Sequence, residues 1–281
     1  MTERDADVAW RRAAAARARA AQAAAAADHH DLLWQQNGSD RHRVLAEFHR
    51  DTVAHHLAAA EMQEAYARRL SAWSPRQREA RPPFMRSVAT VCGADGGALV
   101  VLDKNRQQVA VTSSDACACR AQDLEYVLGE GPMRDVARSG RAAAAAHLDL
   151  VTRWPFYGRG ILDLGLRAAS AVPLMSGAYR FGVLAVFSEV RLPLEADLRR
   201  IAAALAEQVL FGPDGDPLLY GDIAEQSPVH RATDRVRLQE ECTATDALDL
   251  IKARAFREGT TTVDIARRIV EADLRLTSEP E

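Results

Sequence analysis

Long hydrophobic runs are missing from this sequence, which excludes a simple membrane-spanning architecture. The most apolar-looking stretch, Ala13 to Ala27, is built from alanine and broken by Arg17, Arg19 and Gln22. Alanine is too weakly hydrophobic to hold such a segment in a bilayer. Acidic Glu3, Asp5 and Asp7 precede it and no Leu-rich centre follows, so it does not read as a signal peptide. Cysteine is also scarce. Cys92, Cys117, Cys119 and Cys242 are too few and too irregularly spaced for the disulfide framework of a small secreted protein. An excess of charge is lacking as well: 36 Lys and Arg against 39 Asp and Glu leave a net charge of −3. There is no general attraction for polyanions, so any such site must come from a local arrangement of cations. No G-x-S-x-G, Walker loop, H-E-x-x-H or paired zinc-ligand pattern occurs. These absences predict a soluble, cytoplasmic, reduced chain that is not an enzyme and carries no cofactor, catalytic residue or metal.

What is present divides into segments. With 281 residues, 48% of them apolar and 27% charged, more than one folded unit is expected, without wholesale disorder. Residues 1–80 read as an Ala-rich helical segment. From Ala6 to Gln36 the composition favours a long, exposed helix. Asn37-Gly38-Ser39-Asp40 supplies a stop and a restart, and Arg41 to Trp73 gives a second helix, so a hairpin or coiled coil is predicted. On the second helix Leu45, Phe48, Thr52, His55, Ala59, Met62, Tyr66, Arg69 and Trp73 recur in three- and four-residue steps, the pattern of a packing or dimerisation face. Six of the eight histidines, His29, His30, His42, His49, His55 and His56, fall here. His55 with Glu47 and Asp51 would be the metal-binding reading. Solvated helix residues are the preferred one, since no matching ligand set occurs elsewhere.

Residues 81–210 change character, with glycines and β-branched runs. Strands are predicted over 97–102, 109–113, 142–148, 167–175 and 180–187, with helices at 132–138 and 194–210. That order implies an antiparallel sheet flanked by helices. Residues 211–226, rich in Gly, Pro and Asp, read as a linker. In residues 227–281, Ser227-Pro228 starts the first of three short helices, 229–241 and 246–258 being the first two and Thr262 capping the third. Lys and Arg are matched one for one by Asp and Glu from Val229 to Leu276, so a polyanion site there needs segregation of charge.

Two resemblances follow from particular residues. Tyr126-Val127-Leu128-Gly129-Glu130-Gly131-Pro132, Arg153-Trp154-Pro155-Phe156, Leu164-Gly165-Leu166-Arg167-Ala168, Ala171-Val172-Pro173-Leu174 and Phe181-Gly182-Val183-Leu184 resemble the GAF domains of actinobacterial regulators. This resemblance implies a small-molecule effector held near Tyr126, Glu130, Arg134, Trp154, Phe156 and Tyr157. Val229-His230-Arg231-Ala232-Thr233, Asp246-Ala247-Leu248, Ala253-Arg254-Ala255-Phe256-Arg257 and Val263-Asp264-Ile265-Ala266 resemble the ANTAR pattern of transcription antitermination regulators. The combination implies an α+β chain with a helical hairpin, a GAF sensor and a C-terminal three-helix ANTAR bundle. Its partners would be paired RNA stem-loops in leader transcripts and, as a homodimer, a second copy of the chain. Arg231, Thr233, Arg235, Lys252, Arg254, Phe256 and Arg257 would contact RNA. The sequence departs from the pattern at Asp234, where a small residue is usual, and an acid there repels phosphate. The alternatives are a divergent bundle that binds protein instead of RNA, and a thiol sensor or methionine sulfoxide reductase-like GAF enzyme using Cys117 and Cys119.

Overall fold

A computed structural model of the chain describes residues 2–73, 82–106, 108–190, 193, 195–210, 228–258, 260 and 262–271. The linker 211–226, Ser227, Gly259 and the tail beyond 271 lie outside the described residues. Helices α1 (Thr2–Asn37) and α2 (Asp40–Ala72) form the expected hairpin. Along α1, Ala6, Ala9, Ala13, Ala16, Ala20, Ala23 and Ala27 are all buried. Their alternating three- and four-residue steps keep one alanine seam against the neighbouring helix, and the small side chains let the backbones approach closely. The helix is therefore not exposed all round, as its composition suggested.

The stripe expected along α2 holds only in part. Ala59, Met62 and Tyr66 are buried, but within their own chain, against α1 and the sheet-flanking helices, so this part is not a face for a partner. Phe48, nearer the hairpin tip, is 62% exposed. The histidines also depart from the solvated expectation. His56 is buried, and His55 Nδ1 lies 3.2 Å from Glu207. The His42 and His49 rings both stack on His30 at the hairpin tip. Among the described residues no group of three or more such side chains is arranged to hold a metal ion.

The centre of the molecule is a five-stranded sheet made of β1 (Gly96–Leu102), β2 (Gln108–Ser113), β3 (Ala143–Ala146), β4 (Ala168–Ser176) and β5 (Tyr179–Ser188). Its order is β2-β1-β5-β4-β3, with every pairing antiparallel. Alternate residues serve opposite faces. Val172, Leu184 and Val186 point to one core with α2, α3 (Phe84–Val91) and α8 (Glu195–Ala204). Ala171, Val183, Ala185 and Phe187 point to a second core with α4 (Ala116–Leu128), α5 (Pro132–Ser139), α6 (Leu148–Arg153) and α7 (Pro155–Asp163).

Two expectations need correction here. The third strand ends at Ala146, because Leu148 begins α6 and is exposed. The helix expected over 194–210 is α8 followed by a π-helical turn, Leu205–Leu210. Cys117 and Cys119 lie in the first turn of α4. Asp115 caps that helix, its Oδ1 accepting from the amides of Cys117 and Ala118 at 2.9 and 3.0 Å. Helices α9 (Pro228–Gln239), α10 (Ala244–Glu258) and α11 (Thr262–Glu271) build a third, separate core. Thr243 and Asp246 cap α10 reciprocally: the Asp246 amide donates to Thr243 Oγ1 at 3.2 Å, and the Thr243 amide donates to Asp246 Oδ2 at 3.2 Å.

Candidate functional site

The local sequence Leu128-Gly129-Glu130-Gly131-Pro132 explains how the site is shaped. Gly129, at φ 73°, ends α4 in the left-handed region, and Pro132 opens α5. Between them Gly131 sits at φ 146°, and a Cβ there would lie 2.6 Å from Cδ of Glu125. The missing side chain makes room for the Glu125 carboxyl, which turns inward at the joint between the two helices.

Beside that joint a cavity of about 800 Å³ opens between the sheet domain and the C-terminal bundle. Val100, Leu102 and Val183 give it apolar walls; Gln122, Glu125 and Tyr126 of α4 and Arg134 and Arg138 of α5 line it further. Arg106 reaches it from the β1–β2 turn. The bundle supplies the remaining wall with Thr243, just before α10, and Thr245, Asp249 and Lys252 from the first three turns of that helix. The positive end of that helix therefore faces the cavity.

Its electrostatics are one-sided. Burial lifts the Glu125 carboxyl to about 8, against the opposing pull of the Arg134 amide and guanidinium. Glu125 is therefore largely protonated at neutral pH. Its Oε1 accepts from the Arg134 amide at 2.6 Å, while Oε2 is buried without a partner. Gln122 donates to Gln108 Oε1 at 3.0 Å, and its own Oε1 is likewise buried and unpartnered. Arg106 donates to the Arg138 carbonyl at 2.9 Å and Arg134 to the Tyr126 carbonyl at 3.2 Å. Asp249 is the acid on the bundle side, 3.5 Å from Lys252.

Of the residues expected to hold an effector, only Tyr126 and Arg134 line this cavity. Glu130 Oε1 instead accepts from the Phe156 and Tyr157 amides at 2.6 and 2.7 Å, satisfying the first turn of α7. Trp154 is buried, its indole N–H donating to Asp135 Oδ2 at 3.2 Å. Tyr157 lies in the core next to it, and Phe156 is 65% exposed. The aromatic sequence W-P-F-Y builds a wall of the second core because α7 packs on α6, not on the cavity. Arg106, Gln122, Glu125 and Arg138 were missed. The only signal was polar Gln122 and Glu125 at the inner, three-residue spacing of a helix that was itself not foreseen.

The residues expected to meet RNA are also dispersed. Arg231 is exposed and has no ion-pair partner among the described residues. Thr233 is only 2% exposed, donates to the Val229 carbonyl at 2.7 Å and meets the Tyr126 phenol of the sensor, so it is no surface contact. Arg235 is half-buried and donates to the Ile269 carbonyl at 3.1 Å, capping the end of α11. Lys252 faces the cavity. Arg254 pairs with Glu258, which also takes Arg268. Phe256 and Arg257 are exposed on α10. The Cys117 thiol is pushed up by burial and by Asp115, the reverse of an activated nucleophile. Two helical residues apart, Cys117 and Cys119 also point to different sides of α4.

An antiparallel sheet between helical layers with a cavity against one face gives the centre of the chain an α+β architecture. Residues 84–211 match the family model of the GAF domain, and this segment is a GAF domain. Solved structures are similar at low identity. The GAF domain region of a Geobacter sulfurreducens putative membrane protein is 17% identical with a TM-score of 0.33, over 43% of this chain and 87% of that one. A domain of a Sinorhizobium meliloti putative two-component sensor histidine kinase is 13% identical with a TM-score of 0.31, over 43% and 82%. The GAF domain of an Acinetobacter phosphoenolpyruvate-protein phosphotransferase is 16% identical with a TM-score of 0.30, over 58% and 90%. No curated protein matches the chain. Among the described residues no helix is long and apolar enough to cross a membrane.

Proposed function

We propose that the chain is a cytoplasmic, signal-responsive regulator whose GAF domain governs a C-terminal ANTAR bundle that binds RNA stem-loops and promotes transcription antitermination. The observation that carries this reading is Phe256. The interior of the bundle is complete without it, yet this aromatic ring stands 90% exposed next to exposed Arg257. An unpaired base stacks on such a ring, and a neighbouring guanidinium holds its phosphate. A homodimer would present two such rings to paired stem-loops, raising avidity without new contacts.

A second reading, in which the bundle binds protein, is favoured by a specific observation: Glu258 neutralises both Arg254 and Arg268, and Leu238 is exposed. Mobility shifts of the full chain with RNA fished from cells separate the two. Phe256→Ala should weaken binding about tenfold, the loss of one stacked base, and Arg257→Glu should weaken it further. Affinity that ignores both changes removes the RNA reading and leaves the protein-binding one.

A further inference from the structure

The cavity between the GAF domain and the bundle is built for more than shape. Four cations, Arg106, Arg134, Arg138 and Lys252, line it together with the amino end of α10, and the facing carboxylate is Asp249. Burial keeps Glu125 largely protonated at neutral pH, so it adds little negative charge. An anionic oxygen suits the guanidinium groups and the Lys252 ammonium, and Val100, Leu102 and Val183 suit a carbon skeleton.

We infer that this cavity binds a small organic anion, a carboxylate or phosphate ester, and that the ligand clamps the C-terminal bundle to the GAF domain by bridging Arg134 and Lys252. The inference deepens the proposed sensor role by giving the effector a chemical class. It does not depend on what the bundle binds. Because Lys252, Thr243 and Thr245 belong to the bundle, the docked arrangement is the one with the complete site, and the ligand stabilises it by mass action. Thr233 stays covered by Tyr126 in that state, so ligand and exposure of the buried side of α9 are antagonistic.

The test uses the full chain with two probes, citrate for the carboxylate class and glucose 6-phosphate for the phosphate class, and glucose as the uncharged control. Calorimetry reads affinity; hydrogen exchange reads protection of amides 244–258. At least one anion should bind where glucose does not. Arg134→Gln and Lys252→Gln should each weaken that anion about tenfold with unchanged melting curves, and the added protection of α10 should vanish in Lys252→Gln. Failure of both anions to titrate at millimolar concentration overturns the ligand class. Binding that is indifferent to Lys252→Gln overturns the clamp. RNA mobility shifts without either probe report on the RNA reading separately, so the two can fail independently.

Discussion

Glu125 shows how one buried side chain can set the pH dependence of stability. In the folded chain its carboxyl titrates near 8, in the unfolded chain near the ordinary 4.5, and burial is the main cause. Between those values the native state holds a proton that the unfolded state has released, so stability falls as pH rises, by up to about 1.4 kcal/mol per unit. Below about 4.5 both states are protonated and this contribution is fully present. Glu125→Gln, which keeps the shape and cannot ionise, should flatten the decline of melting temperature between pH 5 and pH 8; an unchanged slope would assign the dependence to another group. Asp115 works in the opposite direction. Burial raises its pKa, but the Ser114 hydroxyl, the Ala118 and Cys117 amides and Arg86 outweigh that and hold it below the usual range. Its contribution is present above the ordinary carboxylate range and is lost as pH falls through its depressed value. Asp115→Ala should cost about 1 to 2 kcal/mol at neutral pH by uncapping α4, a difference that chemical denaturation resolves.

At the scale of elements, the joint from α4 to α5 decides whether the cavity exists. Gly131 combines a backbone conformation that L residues avoid with a missing side chain whose place Glu125 occupies. Gly131→Ala should therefore lower stability by about 1 to 3 kcal/mol and displace Glu125, so the mutant should also lose the pH slope just described. A mutant that melts and titrates like the parent would show that the joint is not constrained in this way. The same joint shows what the sequence disclosed. Gly129, Gly131 and Pro132 were legible as a turn into a helix because their backbone demands are local. Helix α4 before them was not, because its Ala, Cys, Gln and Glu residues face apolar neighbours that only the sheet supplies. Strands β4 and β5 were readable for the opposite reason: their β-branched runs and the Ser176 to Tyr179 connection are local signals. The cavity was invisible, since Arg106, Glu125 and Lys252 lie on three elements far apart in sequence, and no spacing rule joins them. The aromatic residues at 154–157 misled because bulk and polarity look alike in a core wall and in a ligand pocket.

Across the whole molecule, three cores carry unequal dependence on one another. The hairpin is part of the GAF core: Met62, Tyr66 and Leu70 of α2 lie in one cluster with Phe84, Val88, Leu198 and Ile201. Tyr66 meets the Phe84 ring edge-on at 5.2 Å. The bundle core is made of its own residues, and among the described residues of the GAF domain Tyr126 and Val127 of α4 pack against it. Fully burying one large apolar side chain is worth about 1.5 to 3 kcal/mol, against a total stability of about 5 to 15 kcal/mol for a domain. Removing the hairpin strips several such contacts at once, whereas removing the bundle strips parts of two. A chain ending at residue 210 should thus melt cooperatively within a few degrees of the sensor transition in the full protein. A chain beginning at residue 82 should expose Phe84, Val88, Leu198 and Ile201 and melt at much lower temperature or aggregate. Calorimetric scans of the two truncations decide the matter, and equal melting of the second with the full chain would mean that the hairpin only decorates the sheet. If the first behaves as argued, the bundle is the one unit free to separate while the rest stays folded, which is the mechanical condition for a ligand at its base to act as a switch.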